Sequence, residues 1–129
     1  MADASVKKAP LSDRNFDFIP KFLGSHSREN FITLSEWIAQ NNLESDSNLL
    51  LQMDIEGGEE VVIPAAIDVL RNTRFLIVEI HNDRIDSKPI ISVLNSIYTY
   101  SWQLNDRESN KPLFIMTNEY IDFGGWATK

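Results

Sequence analysis

The stretch Leu49-Leu-Leu-Gln-Met-Asp-Ile-Glu-Gly-Gly58 is a short apolar run that ends in acidic residues, and Phe75-Leu-Ile-Val-Glu-Ile-His81 repeats that pattern. A segment of helix length separates the two runs. Buried parallel strands read as short, nearly continuous apolar runs, so the pair predicts one βαβ unit. Open α/β sheets bind ligands outside the carboxyl ends of their strands, where both runs place polar residues. The sequence therefore predicts a functional site at one edge of an α/β sheet.

Four polar side chains stand at this edge, and we predict them as catalytic residues: Asp54, Glu56, Glu79 and His81. Glu79 and His81 alternate along one strand, so both are expected to point to the same face of the sheet. A histidine at a strand end can instead be a hydrogen-bonded structural residue. An Asp at one strand end, with Glu and His at the next, also forms a donor set that can hold a divalent cation.

The acidic run itself has a structural interpretation. Carboxylates favour the positive end of a helix dipole, each by about 0.3–1 kcal/mol. We assign that role to Glu59 and Glu60, which fall in the first turn of the next helix. Four carboxylates within seven residues repel one another and exceed what one helix end needs, which favours a function for Asp54 and Glu56.

Helical periodicity and capping signals predict three helices, at about residues 35–41, 63–72 and 88–98. Thr33 and Glu36 form a T-x-x-E capping box ahead of the first helix. The second begins with a loose turn over residues 59–63 and carries Pro64 in its first regular turn, where proline is tolerated. Ser87 is the expected N-cap of the third.

Four strands are predicted, at residues 49–54, 75–80, 100–104 and 113–117. The polar loop before the last strand is too short for a crossover helix, so the last two strands form an antiparallel hairpin. The fold class is therefore α/β, with a parallel pair, a C-terminal hairpin and flanking helices. Residues 1–30 lack periodicity and are expected to form an extended arm that packs on the sheet edge, ahead of a body at residues 31–129.

Composition excludes several classes of protein. The net charge of −7 argues against nucleic-acid binding and against docking on anionic lipid, since both need clustered Lys and Arg. The absence of cysteine excludes disulfides, thiolate zinc sites and a cysteine nucleophile. No apolar run approaches the roughly 20 residues of a membrane span. These features predict a cytoplasmic protein without nucleic-acid or membrane partners.

Three segments together resemble the C-terminal half of FkbM-type methyltransferases: Phe31-Ile-Thr-Leu-Ser-Glu-Trp37, Leu51-Gln-Met-Asp-Ile-Glu-Gly-Gly-Glu59 and Ile77-Val-Glu-Ile-His81. They match that family's T-L-x-x-W lead-in, its strand ending in D-[IV]-E-G-x-E and its strand ending in E-[IFL]-H. The resemblance implies a Rossmann-like class I fold that transfers a methyl group from S-adenosylmethionine to a hydroxyl oxygen of a sugar or small molecule. It also implies that Asp54 and Glu56 border the methyl-transfer cleft, where a carboxylate takes the proton of the acceptor hydroxyl.

The cofactor half of such an enzyme is missing from the pattern. None of the five glycines forms a G-x-G turn, and the region before Asn48 is too short for three βα units. No cofactor-binding residue is therefore assigned, and weak or absent binding of S-adenosylmethionine is expected. The chain looks like a truncated enzyme, as a gene fragment or a domain remnant would.

Three hypotheses follow from the sequence. The first is the methyltransferase fragment, the second is a non-catalytic remnant or interaction module, and the third is a divalent-metal-binding α/β protein. The favoured first hypothesis assigns no metal ligands. The strand at residues 49–54 lacks the partner it has in a complete enzyme, and unpaired strand edges seek partners, so self-association is expected unless residues 1–30 fold back over that edge.

Overall fold

The computed structural model describes residues 22–27, 29–55, 58–105 and 111–129. The strands in these ranges are β1 Phe22–Leu23, β2 Phe31–Ile32, β3 Leu50–Met53, β4 Phe75–Glu79, β5 Tyr100–Leu104, β6 Leu113–Thr117 and β7 Ala127–Thr128. The helices are α1 Leu34–Gln40, α2 Glu59–Ala65, α3 Ile67–Arg71 and α4 Lys88–Ile97. Within these ranges no helix combines the length and the apolar character needed to cross a bilayer.

The main sheet has five strands in the order β3-β4-β6-β5-β7. β3 and β4 are parallel, and the chain between them contains α2 and α3, so the predicted βαβ unit is confirmed. β5 and β6 form the predicted antiparallel hairpin, and β6 inserts between β4 and β5, antiparallel to both. The protein is thus an α/β protein with a mixed, open sheet.

Three strands were not predicted from the sequence. β7 lies in the turn-rich tail and pairs with β5, which makes five strands in the main sheet rather than four. β1 and β2 form a separate two-stranded parallel sheet within the region expected to be an extended arm or a lead-in. Leu23 of β1 packs against the main core and lines an apolar cavity with Leu50 and Met53, so this part of the expected arm lies beside β3. Residues 1–21 of that arm lie outside the described ranges.

The helices lie where their signals predict them, with one exception, although Ser87 stands at the N-cap position of α4 without a side-chain capping hydrogen bond. The Thr33 side chain accepts a hydrogen bond from the backbone N–H of Glu36, which confirms the N-cap of α1. The segment expected as one regular helix to residue 72 is instead two short helices that break at Ala66. Regular turns begin at Glu59, so Pro64 falls inside α2 and not in its first turn. A proline there lacks the N–H that would continue the ladder, and the helix ends at the next residue, Ala65.

One core joins the sheet to all four helices. Leu76, Val78 and Ile80 alternate with less buried residues along β4 and its extension, and they pack with buried residues of the helices such as Val62 and Leu94. This apolar packing fixes the positions of both parallel strands. It therefore also fixes the polar residues that follow them at their carboxyl ends.

Candidate functional site

The carboxyl ends of β3 and β4 meet at one edge of the sheet, as the sequence predicts. The two strands pair with Met53 beside Val78, so Asp54 and Glu79 follow at adjacent positions. His81 comes two residues later in the chain. The parallel register thereby brings these three polar residues to the edge at which open α/β sheets bind ligands.

His81 lies between two carboxylates. Its side chain is only 3% exposed. The Nε2 atom lies 3.3 Å from Oδ1 of Asp54, and the Nδ1 atom lies 2.5 Å from Oε1 of Glu59. The imidazole is thus held at both ring nitrogens. One of its partners is fully buried, whereas the Asp54 side chain is 50% exposed and reaches solvent.

Glu59 is the residue of this site whose role the sequence interpretation missed. Its place in the first turn of α2 suggested a helix-dipole role, yet its side chain is buried and turned onto His81. Its Oε1 atom accepts a hydrogen bond from the backbone N–H of His81 at 3.2 Å and also contacts the ring. No donor in the described ranges reaches its Oε2 atom. A signal was nevertheless present, because the D-I-E-G-x-E motif ends at Glu59.

The hydrogen bonds indicate how the ring of His81 is protonated. Since Oε1 of Glu59 already accepts the backbone N–H, we assign a proton to Nδ1, which donates to the same oxygen. Burial lowers the pKa of His81, but the hydrogen bond and charge of Glu59, together with the charges of Asp54 and Glu79, outweigh burial and raise this pKa above its ordinary value of 6.5. The carboxylates therefore favour the positively charged ring.

Glu79 completes the cluster of ionisable groups. One potential ligand atom from each of Asp54, Glu79 and His81 lies within 4.8 Å of the others. Three of the four predicted residues are therefore brought together, and we call these three with Glu59 the edge site. Glu56, the fourth, lies outside the described residues. Glu60 is exposed in the first turn of α2.

A second polar region lies at the other end of the strands, where β4 begins and β6 ends. A cavity of about 350 Å³ there is lined by Arg71, Arg74 and Glu119, among others, and by none of the four predicted residues. Arg74 and Glu119 form an exposed ion pair across it, with Nε and Oε2 2.6 Å apart. Exposed ion pairs of this kind are common on protein surfaces and contribute little. The buried histidine and carboxylate make the edge site the stronger candidate for chemistry.

Comparisons of the chain with protein-family models, with curated proteins and with solved structures found no match. The resemblance to FkbM-type methyltransferases therefore stays a prediction. Function has to be inferred from the chemistry of the edge site and from the fold that positions it.

Proposed function

We propose that this chain supplies the acceptor-binding half of an FkbM-type O-methyltransferase domain. In this proposal the edge site binds a hydroxyl group of a sugar or small molecule, and the methyl donor is S-adenosylmethionine. The parallel pair with its helical crossover, followed by an antiparallel hairpin, is compatible with the fold that the resemblance implies.

One observation carries the proposal. Asp54 and Glu59 are the first and last residues of the D-I-E-G-x-E motif, and Glu79 and His81 are the first and last residues of the E-I-H motif. The four side chains meet in one cluster around the imidazole of His81. Four of the motif positions thus lie together, at the edge where such sheets bind ligands.

The edge site offers what an acceptor hydroxyl needs. The half-exposed carboxylate of Asp54 is available to accept a hydrogen bond from a hydroxyl. Transfer of a methyl group to oxygen requires that hydroxyl to lose its proton, and a neighbouring carboxylate favours this loss. Glu59 contributes indirectly, because its contact with Nδ1 fixes the orientation of the His81 ring.

The described residues do not fit the cofactor itself. A cradle for a nucleotide needs glycines at which the backbone approaches the ligand closely. A Cβ atom added to Gly124 or Gly125 would meet nothing within 4 Å, and one added to Gly24 or Gly58 would meet Phe31 or Ile55. We therefore assign no cofactor-binding residue, and we expect no saturable binding of S-adenosylmethionine to the 129-residue chain. Saturable micromolar binding in a calorimetric titration would show that a cofactor site forms without an added half-domain.

The function itself is tested in a completed domain. The chain is fused behind the first three βα units of an FkbM-type enzyme, including its Gly-rich turn, and is supplied with methyl-labelled S-adenosylmethionine and a panel of sugars and small alcohols. We expect label to enter at least one hydroxyl acceptor, and Asp68→Asn, an exposed change on α3, to leave the rate unchanged. A folded fusion that binds the cofactor but methylates nothing would favour the non-catalytic remnant.

A further inference from the structure

Asp54, Glu79 and His81 place three potential ligand atoms close together. Their ligand atoms are two carboxylate oxygens and one imidazole nitrogen, all within 4.8 Å of one another. Carboxylates suit hard cations such as Mg²⁺ and Mn²⁺, and an imidazole extends the choice to other first-row metals. Asp54 and Glu79 stand at the ends of neighbouring paired strands, so a rigid scaffold holds them in place.

The separation of Asp54 and His81 fits two ligands of one cation. Ligands about 2.1 Å from a metal, with about 109° between their bonds, lie roughly 3.4 Å apart. The observed distance between Oδ1 of Asp54 and Nε2 of His81 is 3.3 Å. A direct charge-assisted hydrogen bond is shorter, at about 2.7–2.9 Å. The 3.3 Å distance is therefore compatible with two ligands of one cation as well as with the direct ion pair.

Glu59 provides a second, independent indication. Metal-binding histidines commonly donate their other ring N–H to a carboxylate, which fixes the tautomer and the orientation of the ring. Oε1 of Glu59 lies 2.5 Å from Nδ1 of His81, and the Glu59 side chain is fully buried. This contact leaves Nε2 as the ring atom that faces Asp54. A buried carboxylate at Nδ1 is thus combined with the Asp54 carboxylate at Nε2.

We propose that Asp54, Glu79 and His81 bind one divalent cation, with Glu59 as the residue that positions His81. The cation replaces the proton on Nε2, which is released to solvent, while the Nδ1–H of His81 stays hydrogen-bonded to Glu59. Three protein ligands leave coordination positions for other oxygen atoms, as in catalytic rather than structural metal sites. These positions face solvent because the Asp54 side chain is half exposed. The assignment of an acceptor hydroxyl to one of them rests on the proposed function, whereas cation binding does not.

Mn²⁺ alone, added to the chelator-treated 129-residue chain, tests the proposal without cofactor or acceptor. Binding is followed by calorimetry and by the loss of the free-ion EPR signal. We expect one Mn²⁺ per chain and a dissociation constant raised at least about tenfold by Asp54→Asn or Glu79→Gln, since each removes a charged ligand. Glu60→Gln is the matched control, because Glu60 is an exposed neighbour of Glu59 with the same charge. An equal effect of Glu60→Gln, or no saturable binding, overturns the proposal.

Pulsed EPR of bound Mn²⁺ tests the histidine. We expect a nitrogen hyperfine coupling that disappears in His81→Gln; a coupling that survives this change means a different ligand set and overturns the proposal. Glu59→Gln is expected to weaken Mn²⁺ binding about 10- to 100-fold while the coupling persists at saturating metal. If Glu59→Gln prevents folding, the Asp54→Asn and Glu79→Gln variants still test whether the site binds Mn²⁺. Failure of Mn²⁺ binding leaves the methyl-transfer proposal standing, because the two experiments share no reagent.

Discussion

The buried contact between Glu59 and His81 predicts a large loss of stability when only its acidic member is removed. Glu59→Ala deprives two buried donors of their acceptor, the ring Nδ1–H and the backbone N–H of His81. Each buried donor left unpaired costs about 1–3 kcal/mol, which gives about 2–6 kcal/mol for both. Breaking a buried charge pair by removing one member costs about 3–5 kcal/mol. We therefore expect the free energy of unfolding to fall by about 3–5 kcal/mol.

Urea unfolding followed by tryptophan fluorescence and by far-UV circular dichroism measures this loss. The matched control is Glu119→Ala, which breaks the exposed ion pair with Arg74 and is expected to change stability little. The double variant Glu59→Ala, His81→Ala should lose less than the sum of the single losses, because the two side chains are in direct contact. A loss for Glu59→Ala no larger than that for Glu119→Ala would refute the buried network as a stabilising contact.

Further predictions concern a cap, a buried hydroxyl and the sheet edge. Thr33→Ala removes the N-cap of α1 and should cost about 0.5–2 kcal/mol in urea unfolding. Burial raises the pKa of Tyr98 above its ordinary value of 10.0. The stability that this shift contributes is complete below that value and is lost as pH rises beyond it, so Tyr98→Phe should flatten the decline of stability above about pH 10. Leu50 is 56% exposed on β3, an edge strand of the described sheet. Light scattering should therefore detect self-association of the chain, and Leu50→Lys should reduce it. A monomeric parent chain would contradict the prediction of self-association.

The sequence predicted those parts of the fold that depend on local patterns. The apolar runs predicted both parallel strands, but the expected burial of the first on both faces was wrong, because Leu51 and Met53 of β3 are buried whereas Leu50 is exposed. The T-x-x-E pattern gave the start of α1, since one side chain satisfies a nearby backbone N–H. The convergence of Asp54, Glu79 and His81 followed from the parallel arrangement alone.

The features that were missed depend on contacts between distant parts of the chain. Glu59 has the sequence position of an ordinary first-turn carboxylate. Its buried partner, His81, lies 22 residues further along the chain, so no local pattern reveals the contact. β7 is only two residues long, and pairing of Ala127 with Leu104 defines it rather than any periodicity of its own. The insertion of β6 between β4 and β5 likewise has no local signal, because hairpin pairing alone leaves open which strand lies next to β4.

The central claim is that the edge site carries chemistry. The most direct test measures the rate of methyl transfer and the melting temperature of the Asp54→Asn variant of the completed domain. The amide is nearly isosteric with the carboxylate, and the side chain is half exposed, so the fold should persist and the melting temperature should move little. A group that assists proton loss contributes about 10²–10⁴ in rate, so we expect turnover to fall at least tenfold. Full activity, combined with a stability loss of about 1 kcal/mol as for a missing cap, would show that Asp54 is a structural residue and would contradict the account.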